Sequence, residues 1–268
     1  METTTKKAVT ALSRSVHRMV PVDWGKSGLT QFLEIAEGQA HASFAGLPEW
    51  IRPLEAVDKA LTQQASTFFH EIDPPRQAAA SLFLRSFSTF RAASRLTLSG
   101  QAFETTVLTR SILESALYGW ICGHSEPHRE AWRHRSNGDA EKKTCRRLFG
   151  WAALKEELTK VDLQLAGRVE TLYEQTIEHG AHPNIEGVLL SSETKQVAED
   201  RFEVSTIFAH GEEGILLTTV DLLRTMDLVY ELLYLTIRDR LRILGIDQQI
   251  DKERRQVLAA IQAFEQRG

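Results

Sequence analysis

The 268-residue chain lacks most of the features that reveal a protein's chemistry. It has two cysteines, Cys122 and Cys145, and no CxxC pair, which excludes a disulfide framework and a paired-cysteine zinc site. No run of about 20 nearly uncharged apolar residues is present, and the first 15 residues lack the apolar core of a secretory signal. A net charge of −4 excludes a broadly basic surface but allows a local basic groove. We therefore predict a cytoplasmic protein that binds no membrane.

Established catalytic motifs are missing as well. Gly25-Lys26-Ser27 resembles only the tail of a nucleotide-binding P-loop, because Val20 stands where the loop requires its first glycine. Neither HExxH nor the paired Glu-xx-His of di-iron bundles occurs, so we predict no metal and no cofactor. Whether the imidazoles of His179, His182 and His210 bind a metal is left open by the sequence.

Helical periodicity is what the chain does have. Its apolar fraction of 42% and charged fraction of 25% are typical of a globular protein. Apolar residues recur with the helical period, and no convincing pair of alternating strands is found. We therefore predict an all-α fold, a helical bundle of about six main helices with an N-terminal helical appendage. The breaker Asp73-Pro74-Pro75 predicts the boundary between an appendage over 1–75, partly disordered at its start, and a helical bundle over 76–268 that ends in a tail helix.

Caps and breakers predict where the helices begin and end. In the appendage they predict helices over 27–38 and 54–71, with Ser27 as a cap and with Pro48 and Pro53 in the loop between them. The bundle helices are predicted over 76–98, 101–121, 127–149, 154–179, 194–209 and 212–244, with the tail helix over 251–266. Residues 185–192 are predicted to form an irregular crossing segment.

Residues 100–123 form the most informative helix, which is apolar almost all round yet carries Arg110 and Glu114. At about 100° per residue, both charges fall in the arc of the apolar residues Phe103, Val107, Leu117 and Ile121. They are therefore predicted to be mostly buried, and their spacing of four lets them pair along the helix. Either the pair is structural and fixes the register of the bundle, or Arg110 binds an anion in a pocket while Glu114 orients it.

Residues 173–184 hold a second cluster of candidate residues, because His179 and His182 lie in a turn with Gly180 and Pro183. Histidine is the side chain whose charge changes near neutral pH. His182 is therefore either a general acid or base, or a residue that makes a hydrogen bond within the turn. For His179 the favoured role is an interaction with the terminal carbonyls of its helix.

The only dense basic stretch runs from residue 129 to residue 147. It is interpreted as a solvated face, with contact to phosphate or to an acidic partner as the alternative. It also contains an R-x4-H spacing, from Arg129 to His134.

Two segments together, LSGQAFETTVLTRSILESALYGW and YEQTIEHGAHPN, resemble bacterial HEPN-like helical domains of unknown function, relatives of abortive-infection proteins of the AbiV type. In that pattern one helix carries R-S-x-x-E, here Arg110, Ser111 and Glu114. A later helix ends in Y…H-P, here Tyr173, His182 and Pro183. The resemblance covers about residues 76–244 and implies a helical bundle that is frequently dimeric. The better-known members are metal-independent ribonucleases of toxin and phage-defence systems, which carry R-x4–6-H at the dimer interface.

Two hypotheses for function follow. In the first, the protein cleaves RNA or acts on a nucleotide in a defence or toxin–antitoxin system. Arg110 would hold phosphate and His182 would act as general acid and base, while Glu114 and Tyr173 orient them. In the second, the protein is a non-enzymatic module that binds a partner protein, and both the Arg110–Glu114 pair and the turn of His179 and His182 are structural.

The helix predicted over 212–244 indicates the assembly. Its apolar surface is wider than one bundle face needs, and such a surface is generally covered by another element. The commonest symmetric assembly of identical chains is a two-fold dimer. We therefore predict a homodimer with this helix, or the helix over 76–98, at the interface.

Overall fold

The computed structural model describes residues 21–68, 72, 74–181, 185, 191–206 and 211–266. In these residues the chain forms ten α-helices, one π-helical turn and one two-stranded sheet, which confirms the predicted all-α class. The helices are α1 (Gly28–Gly46), α2 (Pro48–Phe68), α3 (Pro74–Leu98), α4 (Ala102–His124), α5 (Glu126–Arg133), α6 (Asp139–Leu148), α7 (Trp151–Val161), α8 (Leu163–Thr176), α9 (Glu212–Leu244) and α10 (Asp247–Glu265). The π-helical turn Ile177–Ala181 follows α8, and the strands are β1 (Ser192–Ala198) and β2 (Arg201–Thr206).

Two long helices, α4 and α9, form the centre of the core. α4 packs along α3, to which it is joined through Gly100, whose φ of 78° is in the left-handed region that favours glycine. α9 contacts α2, α3, α4, α8 and α10, and it buries residues on several sides. The apolar width of this helix is therefore covered largely within one chain, and the homodimer stays a prediction. No helix among the described residues has the length and apolar content needed to cross a membrane.

The first helix begins where its cap predicts but ends at Gly46 rather than at residue 38, and the second begins at Pro48 rather than at residue 54. Ser27 caps α1 as predicted, because its side chain accepts a hydrogen bond from the Thr30 backbone N–H. The loop predicted around Pro48 and Pro53 is wrong, since Pro48 starts α2 and Pro53 lies inside it. Proline is tolerated at a first helical position, where the missing N–H has no helical acceptor. α2 adds Leu54 and its apolar neighbours to the main core, and the boundary at residue 75 stays a prediction.

Two predicted helices are each divided by a local cap. The helix predicted over 127–149 is divided into α5 and α6 by a turn that ends at Gly138. The helix predicted over 154–179 is divided into α7 and α8 at Asp162, whose carboxylate accepts a hydrogen bond from the Leu165 N–H at 2.9 Å. Such a side chain competes with the helical backbone for its hydrogen bonds, so it ends one helix and starts the next.

The helix predicted over 194–209 is wrong where the structure describes it. β1 and β2 form an antiparallel hairpin that turns at Glu199 and Asp200, with an irregularity between Gln196 and Ala198. Its described side chains are almost all exposed, so one buried face never produces the alternation that identifies a strand. Residues 207–209 of the predicted helix, and most of the crossing segment over 185–192, lie outside the described residues.

Candidate functional site

Three of the four predicted site residues are in contact. On α4, the Arg110 Nε donates to Glu114 Oε1 at 2.9 Å. The Arg110 Nη2 donates to the hydroxyl of Tyr173 on α8 at 2.7 Å, and the guanidinium carbon lies 4.7 Å from the centre of the Tyr173 ring. The fourth, His182, lies outside the described residues, as does His210. The catalytic roles of all four stay predictions.

The Arg110–Glu114 pair lies at the edge of the core. The Arg110 side chain is 17% exposed and that of Glu114 is 39% exposed, so Arg110 is mostly buried with a carboxylate partner, as predicted. The predicted arc is wrong at Val107, which is 41% exposed. The buried face is instead centred on Ile112, Leu113, Ala116, Leu117 and Trp120. Because α4 is apolar almost all round, periodicity alone did not determine which face packs inward.

Tyr173 is fixed by its neighbours in an orientation that supports Arg110. Its ring stacks on Trp151 with 4.2 Å between centroids and an angle of 7° between planes. Burial raises the pKa of Tyr173 although Arg110 opposes the shift, so the hydroxyl stays protonated and accepts the Arg110 hydrogen bond. The Arg110 Nη1 is buried and has no hydrogen-bond partner among the described residues. The guanidinium is therefore held firmly but not fully satisfied.

Glu114 also borders a cavity of about 540 Å³ between α3, α4, α5 and α6. Three arginines line it, namely Arg85 on α3, Arg135 just after α5, and Arg146 on α6. The remaining lining residues are Leu82, Ser111, Ser115, Tyr118, Trp132, Cys145, Phe149 and Gly150. This volume is within the range of small-molecule sites, about 300–1,000 Å³.

The cavity is a positively charged site in a chain of net charge −4. The side chains of Arg85, Arg135 and Arg146 are exposed, and none forms an ion pair with another residue in the described ranges. Among the described residues of the lining Glu114 is the only carboxylate, and Arg110 already compensates its charge. Local positive charge of this kind attracts anions.

Aromatic side chains form another part of the wall. The Tyr118 ring lies 4.7 Å from that of Phe149 and 5.6 Å from that of Trp132, measured between centroids. The Tyr118 hydroxyl donates to the Phe149 carbonyl oxygen at 3.2 Å. Burial raises the pKa of Tyr118 to about 12, and nearby Glu114 adds to the shift, so the phenol is neutral. The wall is therefore an apolar surface beside the arginines.

A buried histidine packs against Phe149 in this wall. His128, at the start of α5, meets the Phe149 ring edge-on at 5.6 Å, and its Nδ1 lies 2.6 Å from the Ser125 hydroxyl. Burial lowers the pKa of His128, which favours the neutral ring. Phe149 therefore packs against a ring whose neutral form is favoured by burial.

Two of the three cavity arginines lie in a stretch that the sequence analysis singled out. Arg135 and Arg146 belong to the basic stretch over 129–147, for which phosphate contact was the alternative interpretation. The R-x4-H spacing in that stretch does not form one site, because Arg129 donates to the Cys122 carbonyl and His134 lies 3.2 Å from Glu130. No sequence signal identifies Arg85, which α3 brings to the cavity.

The candidate histidine that the structure describes, His179, lies away from this cavity. His179 is in the π-helical turn and borders a separate cavity of about 230 Å³ together with Asp221. Burial raises the pKa of Asp221, with Arg224 and His179 acting against the shift. Among the described residues, no three potential ligands are grouped as a metal site would require.

Comparisons with protein-family models, curated proteins and solved structures gave no match to this chain. The HEPN-like resemblance therefore stays a prediction.

Proposed function

We propose that the protein is a phosphate-binding module, and that the cavity formed by Arg85, Arg135 and Arg146 takes a phosphate group of its ligand. The observation that supports this most is that three arginines line one cavity without a carboxylate partner in the described part of the chain. A guanidinium is planar and donates paired hydrogen bonds that match the spacing of phosphate oxygens.

Electrostatics favours this use of the cavity. Three like charges around one space repel each other, and an anion between them removes that repulsion. Glu114 does not fill this role, because its carboxylate is already bound by Arg110. A phosphate group would therefore bind where the charge of the protein is least compensated.

The proposal is tested by calorimetric titration of the full chain with pyrophosphate at low salt. Replacing Arg135 or Arg146 with glutamine should weaken binding by about tenfold each, because hydrogen bonds to charged groups contribute roughly 1.5–3 kcal/mol. Arg147→Gln is the matched control, since Arg147 is the next residue on α6, is exposed and lies outside the cavity lining.

Two results would contradict the proposal. One is the absence of pyrophosphate binding to the wild-type chain. The other is an equal loss of affinity in Arg146→Gln and Arg147→Gln, which would indicate a general effect of charge. Added salt should weaken specific binding, since screening reduces the attraction of exposed arginines.

RNA cleavage is a second candidate, supported by the buried, unpartnered Nη1 of Arg110 beside Glu114 and Tyr173. Under this candidate the protein belongs to a phage-defence or toxin–antitoxin system, as the HEPN-like resemblance implies. Both candidates are consistent with a cytoplasmic location, which the buried, unpaired Cys122 and Cys145 support.

RNA cleavage is tested with single-stranded RNA in the presence of a metal chelator. Cleavage by the wild-type chain should be lost in Arg110→Gln and in His182→Ala. An exposed arginine on α3, replaced in Arg95→Gln, is the control. Wild-type chain that leaves the RNA intact would remove this candidate. The Arg110–Glu114 pair would then be structural, as in the non-enzymatic alternative with a partner protein.

A further inference from the structure

The α4 residues that line the cavity change from polar to aromatic along the helix. Its four lining residues are Ser111, Glu114, Ser115 and Tyr118, which form one stripe along the helix. From Ser111 to Tyr118 the stripe spans about 10 Å, at 1.5 Å per residue. It is polar at the Ser111 end and aromatic at the Tyr118 end. An extended ligand lying along it would meet two different kinds of surface.

The aromatic end offers a surface for a planar group. Trp132 is partly buried, lines the cavity and lies 5.5 Å from Phe149 between ring centroids. The Tyr118 hydroxyl is already used by the Phe149 carbonyl, so the Tyr118 ring contributes mainly apolar area. Aromatic side chains beside basic ones are typical of sites that stack nucleobases.

The polar end offers a hydroxyl and a carboxylate, and neither is required for binding a phosphate group alone. The Ser111 hydroxyl has no hydrogen-bond partner in the described residues. Glu114 binds Arg110 through Oε1 and also interacts with the Tyr173 hydroxyl, and a carboxylate with two partners still has lone pairs for a further hydrogen bond. A carboxylate repels a polyanion, but it accepts readily from sugar hydroxyls, as acidic residues do for ribose in dinucleotide sites. This end therefore favours a ligand with hydroxyl groups.

We infer that the ligand of this cavity is a nucleoside monophosphate. Its base would lie against Trp132 and Tyr118, and its ribose hydroxyls would donate to Glu114. Its phosphate would bind the three arginines that line the cavity. The inference rests on the proposed phosphate binding and adds the base and the sugar to it.

Titration of the full chain with three probes tests the inference. The probes are pyrophosphate, ribose 5-phosphate and adenosine 5′-monophosphate. The nucleotide should bind about tenfold more tightly than ribose 5-phosphate, which is the contribution typical of one base stacked on an aromatic ring. Trp132→Leu should lose this difference while keeping its affinity for ribose 5-phosphate, and Trp132→Phe should keep most of it.

Each outcome of the titration has a definite meaning. If pyrophosphate and ribose 5-phosphate bind but the nucleotide binds no more tightly, the inference is overturned and the proposed function stands. If no probe binds, the proposed function fails as well. If circular dichroism shows that Trp132→Leu is misfolded, the inference is tested by the affinities of the wild-type chain and of Trp132→Phe for the three probes. Binding of an RNA oligonucleotide without binding of the mononucleotide would also overturn the inference.

Discussion

Replacement of Glu114 by glutamine should separate the two roles of this residue, because stability and anion binding should change in opposite directions. Glu114 neutralises Arg110 and also places a negative charge in the cavity lining. Glutamine has nearly the same shape and can still accept the hydrogen bond from the Arg110 Nε. The substitution therefore removes a charge with little loss of packing.

The structure gives the expected magnitudes. The ion pair becomes a hydrogen bond from the charged Arg110 to a neutral amide oxygen, which costs roughly 1 kcal/mol of the free energy of unfolding at a site as exposed as this one. For an anion in the cavity, one repulsive charge disappears. At a separation of about 8 Å and an effective dielectric constant of about 40, that repulsion is on the order of 1 kcal/mol. Pyrophosphate should therefore bind Glu114→Gln about fivefold more tightly than the wild-type chain.

Urea denaturation and calorimetric titration measure the two effects on the same protein samples. Glu104→Gln is the matched control, because Glu104 is exposed on the same helix and lies outside the cavity lining. It should change stability and affinity little. If Glu114→Gln loses stability and binds pyrophosphate more weakly or equally well, Glu114 does not face the bound anion and the electrostatic argument is refuted.

Three further predictions concern the scaffold of the site. Tyr173→Phe keeps the stacking on Trp151 but removes the acceptor of the Arg110 Nη2, so it should cost about 1–2 kcal/mol in urea denaturation; an unchanged midpoint would contradict the contact. Burial lowers the pKa of His128 in the folded state below its ordinary value of 6.5, so the unfolded state binds more protons. The free energy of unfolding should therefore fall as the pH decreases from about 7 to 5. His128→Gln should flatten this pH dependence of the thermal midpoint, and an equally steep dependence would assign it to other groups. Gly119→Ala should destabilise by about 1–3 kcal/mol, because a Cβ would lie 3.0 Å from a core phenylalanine ring. Gly167→Ala, with nothing within 4 Å, should stabilise by about 0.5–1 kcal/mol, and equal effects of the two substitutions would refute the packing argument.

The fold was predictable where local signals determine it. α9 covers the predicted residues 212–244, because its apolar pattern is long and Gly245, with a φ of 66°, ends it. The cap at Asp162 was missed because a single carboxylate interrupts an otherwise continuous periodicity. The β1–β2 hairpin was missed because its exposed strands carry no buried face. Both the cap and the hairpin were missed because their local sequence signal is weak.

The site was predictable only in its local part. Arg110 and Glu114 are four residues apart on one helix, so their pairing follows from helical geometry. The cavity was not predicted as a unit, since Arg85, Arg135 and Arg146 come from separate parts of the chain and meet only when α3, α4, α5 and α6 pack. Their convergence is a property of the tertiary structure.

A crystal structure of the full chain with bound pyrophosphate would show whether the cavity arginines hold the phosphate. We expect phosphate oxygens about 3 Å from guanidinium nitrogens of Arg85, Arg135 and Arg146. Pyrophosphate bound only at arginines outside the cavity, such as Arg147, would contradict it. So would an empty cavity at a concentration of pyrophosphate that saturates the protein in solution.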